Sequence, residues 1–313
     1  MTIDPSKKIF IAGHCGMVGM SLYKALIHRG YDRLVVSSKK DLDLTHVGMV
    51  NDFLEVERPD CIIIAAAKVG GIWDNQTHPA EFLHVNLAIA HNLIHGAFKY
   101  QVPRVLFLGS SCIYPREAPQ PISEDALLTG PLEKTNEAYA LAKIAGIKLC
   151  QFYRQSYGVL YHSAMPCNLY GPGDRYHMEY SHVIPALIQK FHRAKLKQST
   201  SVTLWGSGRP RREFLYVEDL TEGLLRLLEE NNPPDWVNIG SGEDVTIDQL
   251  AQTVKQVVGF EGDIQYDGSK PDGTLRKLLN SDWMRQKGWA PKMKLEQGLV
   301  YAYEDFLARH SKD

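Results

Sequence analysis

The feature that most constrains this chain is a glycine spacing set between an apolar run and a helix-like one. After Lys8 to Ala12 the sequence reads Gly13-His14-Cys15-Gly16-Met17-Val18-Gly19 and passes into the apolar stretch Met20 to His28. A turn stripped of side chains between strand and helix lets backbone N–H groups and the helix N-terminus meet a pyrophosphate. The third glycine of such a turn lets helix and strand pack closely. The spacing therefore predicts dinucleotide binding, with an ordinary tight turn as the plainer alternative.

The rest of the first half repeats the alternation. Leu34 to Ser37, Cys61 to Ala65 and Arg104 to Leu108 are short apolar runs that read as buried strands, with amphipathic helices between them. Parallel neighbours need a crossover that covers the sheet face, so the pattern predicts an α/β fold with a Rossmann-type doubly wound parallel sheet. Glu137 to Tyr157 reads as a long helix and Tyr161 to Met165 as another strand. Asn168 to Arg212 is irregular, Phe214 to Leu228 reads as a strand and helix returning to the first lobe, and Thr246 to Val258 as a helix after the Gly240-Ser241-Gly242 turn. No internal repeat interrupts this order. The expected division is a dinucleotide-binding domain over residues 1–165 plus 214–240, and a smaller C-terminal α/β substrate lobe over 166–213 plus 241–313.

Composition removes other classes. The formal charge of -1, with Lys and Arg scattered, offers no basic face for a nucleic acid. The five cysteines, at 15, 61, 112, 150 and 167, include no Cys-x-x-Cys pair and read as reduced thiols of a cytoplasmic protein, with no metal site expected. The apolar run Ile9 to Ala12 is too short for a signal peptide, and no stretch approaches the ~20 apolar residues of a membrane span.

Cofactor choice is read at the end of the second strand. An NAD-binding turn usually has an acid ~20 residues on that holds the ribose 2′-hydroxyl. Here the stretch is Val35-Val36-Ser37-Ser38-Lys39-Lys40, two small hydroxyl residues and two lysines that suit a 2′-phosphate. NADP(H) is favoured, and a solvated lysine pair is the alternative. Downstream, Ser110 follows a strand, and Tyr139 and Lys143 share one helical face at i and i+4. An ammonium there would lower the phenol's pKa from its reference near ~10, making Tyr139 a proton donor to a carbonyl that receives hydride, with Ser110 bonding the same oxygen.

These elements resemble the extended short-chain dehydrogenase/reductase family, in particular the branch that epimerises and reduces GDP-4-keto sugars. The resemblance runs nearly the whole chain: Ala65 to Ile72 (AAAKVGGI), Leu106 to Pro115 (LFLGSSCIYP), Leu132-Glu133 with Thr135-Asn136-Glu137, Ala142 to Cys150 (AKIAGIKLC), Asn168 to Pro172 (NLYGP), Ser181 to Leu187 (SHVIPAL) and Ser269 to Thr274 (SKPDGT). It implies epimerisation of GDP-4-keto-6-deoxy-D-mannose at carbons 3 and 5, then reduction of carbon 4 with NADPH to give GDP-L-fucose. It implies Cys112 as the base and His182 as the acid, beside Ser110, Tyr139 and Lys143. Without it, Cys112 would read as a buried structural thiol and His182 as a cap or surface histidine.

The resemblance further implies cofactor contacts from Gly13, His14, Cys15, Gly16, Met17, Val18 and Gly19, and from Lys39, Lys40, Asp43 and Leu44. Leu108, Gly109, Ser110 and Ser111 would join them, with Tyr139, Lys143, Pro166, Cys167, Asn168, Leu169 and His182. The nucleotide sugar would be held by Asn168, Lys190, Trp205, Arg212 and Asp272, Arg212 being apt for paired phosphate oxygens. The helices after Asn86 and before Tyr157 resemble that family's dimer-forming pair, implying a homodimer. Three positions depart from the pattern: Cys15 stands in place of an arginine, Leu275 of a proline and Asn280 of an acid. A related colitose or 6-deoxyheptose precursor is the alternative substrate, and an NADP-sensing regulator without catalysis is a more distant one.

Overall fold

The computed structural model of the chain describes residues 4–177, 180–269 and 272–310. Lys270 and Pro271 of the Ser269 to Thr274 signature lie outside them. The strands are β1 (Ile9–Ala12), β2 (Leu34–Val35), β3 (Cys61–Ile64), β4 (Arg104–Leu108), β5 (Leu160–Pro166), β6 (Asn168–Tyr170), β7 (Ser201–Trp205), β8 (Arg211–Tyr216), β9 (Trp236–Ile239), β10 (Asp244–Thr246), β11 (Asp263–Asp267) and β12 (Arg276–Lys277). The helices are α1 (Met17–His28), α2 (Val47–Glu57), α3 (Ile72–Thr77), α4 (Pro79–Lys99), α5 (Glu137–Tyr157), α6 (Val183–Leu196), α7 (Val217–Leu228), α8 (Ile247–Val258), α9 (Asp282–Gln286) and α10 (Leu295–His310).

The main sheet runs β2-β1-β3-β4-β5-β9, every pair parallel. All residues of β1 and β3 are buried, as strands covered on both faces must be. The strand order reverses at β1, which pairs with β2 on one edge and β3 on the other. Such a switch opens a crevice at the carboxyl ends of the strands, where doubly wound sheets take their ligands. α2, α4 and α5 pack together, and α1 packs on α7.

A second, smaller core lies among α6, α8 and α10, built from Ile184, Leu187, Phe191, Leu250, Val254 and Phe306. β8 organises its sheet, pairing with β10 and β12 through Arg211 and Arg212 and with β6 through Phe214 to Tyr216. β7 and β11 form a separate parallel pair.

Three features differ from the sequence expectation. Phe214 does not start a strand of the main sheet: β8 belongs to the small one, and only α7 returns to the large lobe. The main sheet is completed instead by β9, whose short apolar run is interrupted by Asn238 and so does not stand out as a buried strand. The stretch read as irregular, Asn168 to Arg212, contains β6, α6 and β7. Leu279, Met284 and Trp289, from the portion assigned to the second lobe, pack in the large core, and the Trp289 indole donates to the Asp219 carbonyl at 3.1 Å.

Candidate active site

The glycine turn sits where β1 meets β3, and two of its glycines are sterically required. Gly13 has φ +91°, and a Cβ there would lie 2.6 Å from the Ala66 backbone nitrogen. A Cβ on Gly19 would fall 2.1 Å from the Gly13 carbonyl oxygen, so α1 is pressed onto its own entry turn. α1 begins after Gly16 with no side-chain cap and no acidic residue in its first turn. Its first N–H groups, left without partners by helix geometry, therefore face an uncrowded and electropositive mouth that suits a phosphate. Cys15 is exposed, its sulfur 3.3 Å from His14 Nε2. Lys39 and Lys40 are exposed after β2. Asp43 is held below its usual carboxylate range, first by hydrogen bonds from Thr45 and also by the charge of Lys39. The Leu44 carbonyl accepts from the Asn92 amide at 3.0 Å, fixing that loop.

The carboxyl end of β4 leads into the residues expected to be catalytic. Ser110 leads into the short helical turn Ser111–Ile113, and its Oγ accepts from the Cys112 N–H at 3.3 Å. Cys112 Sγ in turn accepts from the Asn136 side-chain amide at 3.1 Å. Asn136 ends the turn Lys134–Asn136 and precedes α5, which carries Tyr139 and Lys143. Lys143 is buried and donates to the Leu108 carbonyl at 2.7 Å, with its ammonium 4.8 Å from the Phe107 ring centroid and 5.7 Å from that of Tyr139. Burial without a carboxylate partner brings its pKa down to about 7.

The expected depression of the Tyr139 phenol is not found. Burial pushes its pKa up, the neighbouring Cys112 thiolate pushes the same way, and a hydrogen bond with Ser110 only partly offsets them. The physical reason is shared with Lys143: desolvation by the surrounding protein favours the neutral form of each group.

The second lobe brings the remaining groups. His182 stands at the N-cap of α6, exposed and with no side-chain bond to the helix. Desolvation by the surrounding protein lowers its pKa. Tyr180, just before it, accepts through its carbonyl from the Gly71 N–H at 2.9 Å, tying this segment to the loop after β3. Arg212 donates to the Thr274 carbonyl at 2.6 Å and is within electrostatic reach of Cys112, Glu133 and Asp272. Asp272 is engaged by the Ser207 backbone at 2.8 Å. Asn168 donates to the Glu213 carbonyl at 2.8 Å, and Lys190 to the Thr203 carbonyl at 2.9 Å. Thr203 and Trp205 lie on the exposed face of β7. Pro166 and Cys167 are buried at the end of β5, and Leu169 is half-buried in β6. The structure thus clusters Ser110, Cys112, Tyr139, Lys143 and Arg212, and Lys190 is tied to β7, the strand that ends at Trp205, by its bond to the Thr203 carbonyl.

Residues 9–240 match the model of the NAD dependent epimerase/dehydratase family. The chain belongs to that family. Its curated relatives include GDP-L-fucose synthase 1 of Arabidopsis thaliana, 52% identical over 97% of this chain and 94% of that protein. GDP-L-fucose synthase of Sinorhizobium fredii is likewise 52% identical, over 98% of each chain. Among solved structures, a GDP-mannoheptose C4 reductase from Campylobacter jejuni with NADP bound superposes with TM-score 0.88 at 32% identity, covering 97% of this chain and 99% of that one.

Two contacts at this site were not anticipated from the sequence. Glu133 accepts from the Thr135 N–H at 3.4 Å and from the Thr274 hydroxyl at 3.2 Å, linking the turn before α5 to the Arg212 loop. Asn136 reaches Cys112 across 24 residues of sequence. Both belong to the signature Leu132-Glu133 with Thr135-Asn136-Glu137, which marks the segment but not these contacts. Of the departures, Leu275 is exposed, and Asn280 accepts from the Asp282 N–H at 2.8 Å at the start of α9.

Proposed function

We propose that the protein converts GDP-4-keto-6-deoxy-D-mannose to GDP-L-fucose, inverting carbons 3 and 5 and then reducing carbon 4 with NADPH. The observation that carries this reading is the cysteine placed inside a reductase set: Cys112 shares one loop with Ser110 and lies within electrostatic reach of Tyr139. A simple reductase needs no base there. The two relatives at 52% identity, both GDP-L-fucose synthases, support this substrate over the heptose of the more distant C4 reductase.

In this reading the carbon 4 carbonyl oxygen lies between Ser110 and Tyr139, whose hydroxyls stabilise the enolate formed when an adjacent proton leaves. Cys112, as thiolate, removes that proton, and His182 returns one from the opposite face, so carbon 3 or 5 inverts with no net change in protons on the sugar. The lowered pKa of His182 makes its protonated form a stronger acid. NADPH, when bound, supplies hydride to carbon 4. Tyr139 gives its proton to the oxygen, which its burial-raised pKa keeps available. The cradle between Gly13, Gly19 and α1 fits the dinucleotide phosphates, and Lys39 and Lys40 suit the 2′-phosphate. Arg212 grips the GDP diphosphate, with Asn168, Lys190, Trp205 and Asp272 completing the sugar-nucleotide site. A cytoplasmic homodimer formed through α4 and α5 belongs to the same reading. It is supported by the exposed apolar residues Leu87, Leu141 and Phe152 on those helices, and no described helix is long and apolar enough to cross a membrane.

The test is NADPH oxidation by the purified protein with GDP-4-keto-6-deoxy-D-mannose, followed by NMR of the sugar product. GDP-L-fucose is expected. A product reduced at carbon 4 but uninverted at carbons 3 and 5 would refute the epimerase half.

A further inference from the structure

Asn136 occupies the N-cap position of α5, and asparagine is among the residues most favoured there because its Oδ1 accepts from the N2 or N3 backbone N–H. Here that bond is not made: the N-cap has φ -136° and ψ 21°, and no side-chain cap is present. The amide nitrogen donates instead to Cys112 Sγ at 3.1 Å, and Oδ1 is buried with no partner. A helix that forgoes its cap and leaves a carbonyl oxygen dry has given this side chain another task. The turn that carries it is braced by Glu133, which accepts from the Thr135 N–H and the Thr274 hydroxyl. The Asn136 N–H itself donates to the Glu133 carbonyl at 3.2 Å. The donor is therefore held rigidly against the sulfur, on the residue that also starts the helix bearing Tyr139 and Lys143.

We infer that Asn136 is a positioning residue for proton abstraction, its amide N–H holding the Cys112 sulfur as an aimed thiolate. An amide donor bonds a thiolate more strongly than a thiol, since hydrogen bonds to ionised acceptors are the stronger kind. Arg212 also lies within electrostatic reach of Cys112. The inference rests on the proposed role of Cys112 as base, yet the sulfur contact has a readout of its own.

The experiment compares wild type with Asn136→Asp, which keeps the shape but turns an acceptor toward the sulfur, and with Asn136→Ala. Peptide-resolved mass spectrometry follows iodoacetamide alkylation of Cys112 in the intact protein at pH 7.5, with exposed Cys15 as internal control. Losing a charge-assisted bond should slow Cys112 alkylation about tenfold or more in Asn136→Asp, less in Asn136→Ala, with Cys15 unaffected. The deficit should vanish at pH 10, where thiols ionise unaided. Deuterium wash-in at carbons 3 and 5 of the keto-sugar with oxidised cofactor should fall by a similar factor, and NADPH oxidation by less. Unchanged Cys112 alkylation in both variants overturns the inference, as does a deficit that persists at pH 10 or equal loss of wash-in and reduction. Wild type is scored first: no wash-in there overturns the proposed function itself, while the alkylation comparison still decides the contact.

Discussion

Lys143 should cost the protein stability near neutral pH, and replacing it with the similarly sized, uncharged methionine should show this. The residue is 3% exposed, and burial alone moves its pKa from 10.5 to about 7. Because the folded value lies below the unfolded one, the penalty is fully present below pH 7. It is relieved as pH rises from about 7 to 10.5, where both states are neutral. A shift of that size corresponds to about 5 kcal/mol at pH 6.5 and about 2 kcal/mol at pH 9. Methionine also forfeits the bond to the Leu108 carbonyl, about 1 kcal/mol. Lys143→Met should therefore be more stable than wild type by a few kcal/mol at pH 6.5, raising Tm by roughly 5 to 10 °C, and this advantage should shrink by about 2 to 3 kcal/mol at pH 9. Thermal unfolding at the two pH values reads it directly, and NADPH oxidation should be lost in the same variant. An equal stability change at both pH values, or destabilisation at both, would show that Lys143 is not carried as a desolvated cation.

Further outcomes follow from the same site. The resemblance implies Lys143 in the reducing set, and it carries its charge only below about pH 7, so an active ammonium predicts that kcat/KM for NADPH oxidation declines as pH rises through about 7, and a profile flat to pH 9 would remove the ammonium from the mechanism. Tyr139→Phe should slow reduction by ~10²-fold or more while cofactor binding persists, and near wild-type NADPH oxidation would remove Tyr139 from the mechanism. Replacing Lys39 and Lys40 with alanine should weaken NADPH selectively by ~1 to 3 kcal/mol per contact, and equal kcat/KM for NADPH and NADH in wild type would make them ordinary surface charge.

The large lobe was legible because its strands are buried on both faces: Ile9–Ala12, Cys61–Ile64 and Arg104–Leu108 stand out as apolar runs at the positions the structure gives them. The small lobe was not, since β6, β10 and β12 are two or three residues long and are made strands only by pairing with β8. The helix over 246–258 could be read from its pattern after the Gly240-Ser241-Gly242 turn, and the structure adds a reciprocal Thr246–Gln249 capping box at its start. Site residues followed the same rule. Tyr139 and Lys143 are visible at i and i+4, but the Asn136–Cys112 contact is tertiary and leaves no periodicity. The electrostatics were the least accessible. The spacing of Tyr139 and Lys143 suggests an ammonium lowering a phenol, whereas their common burial moves both toward neutrality.

Epimerisation and reduction are separable, because proton exchange beside the ketone requires the enolate but no hydride. The most direct test of the paired activity is deuterium incorporation at carbons 3 and 5 of GDP-4-keto-6-deoxy-D-mannose, in heavy water with oxidised cofactor, for wild type, Cys112→Ser and His182→Asn. Wild type should exchange. Cys112→Ser, whose hydroxyl is a far weaker base than a thiolate, should lose exchange yet still slowly reduce carbon 4 with NADPH. His182→Asn should leave inversion incomplete. Exchange by Cys112→Ser as fast as wild type would make Cys112 a packing residue and contradict the epimerase assignment.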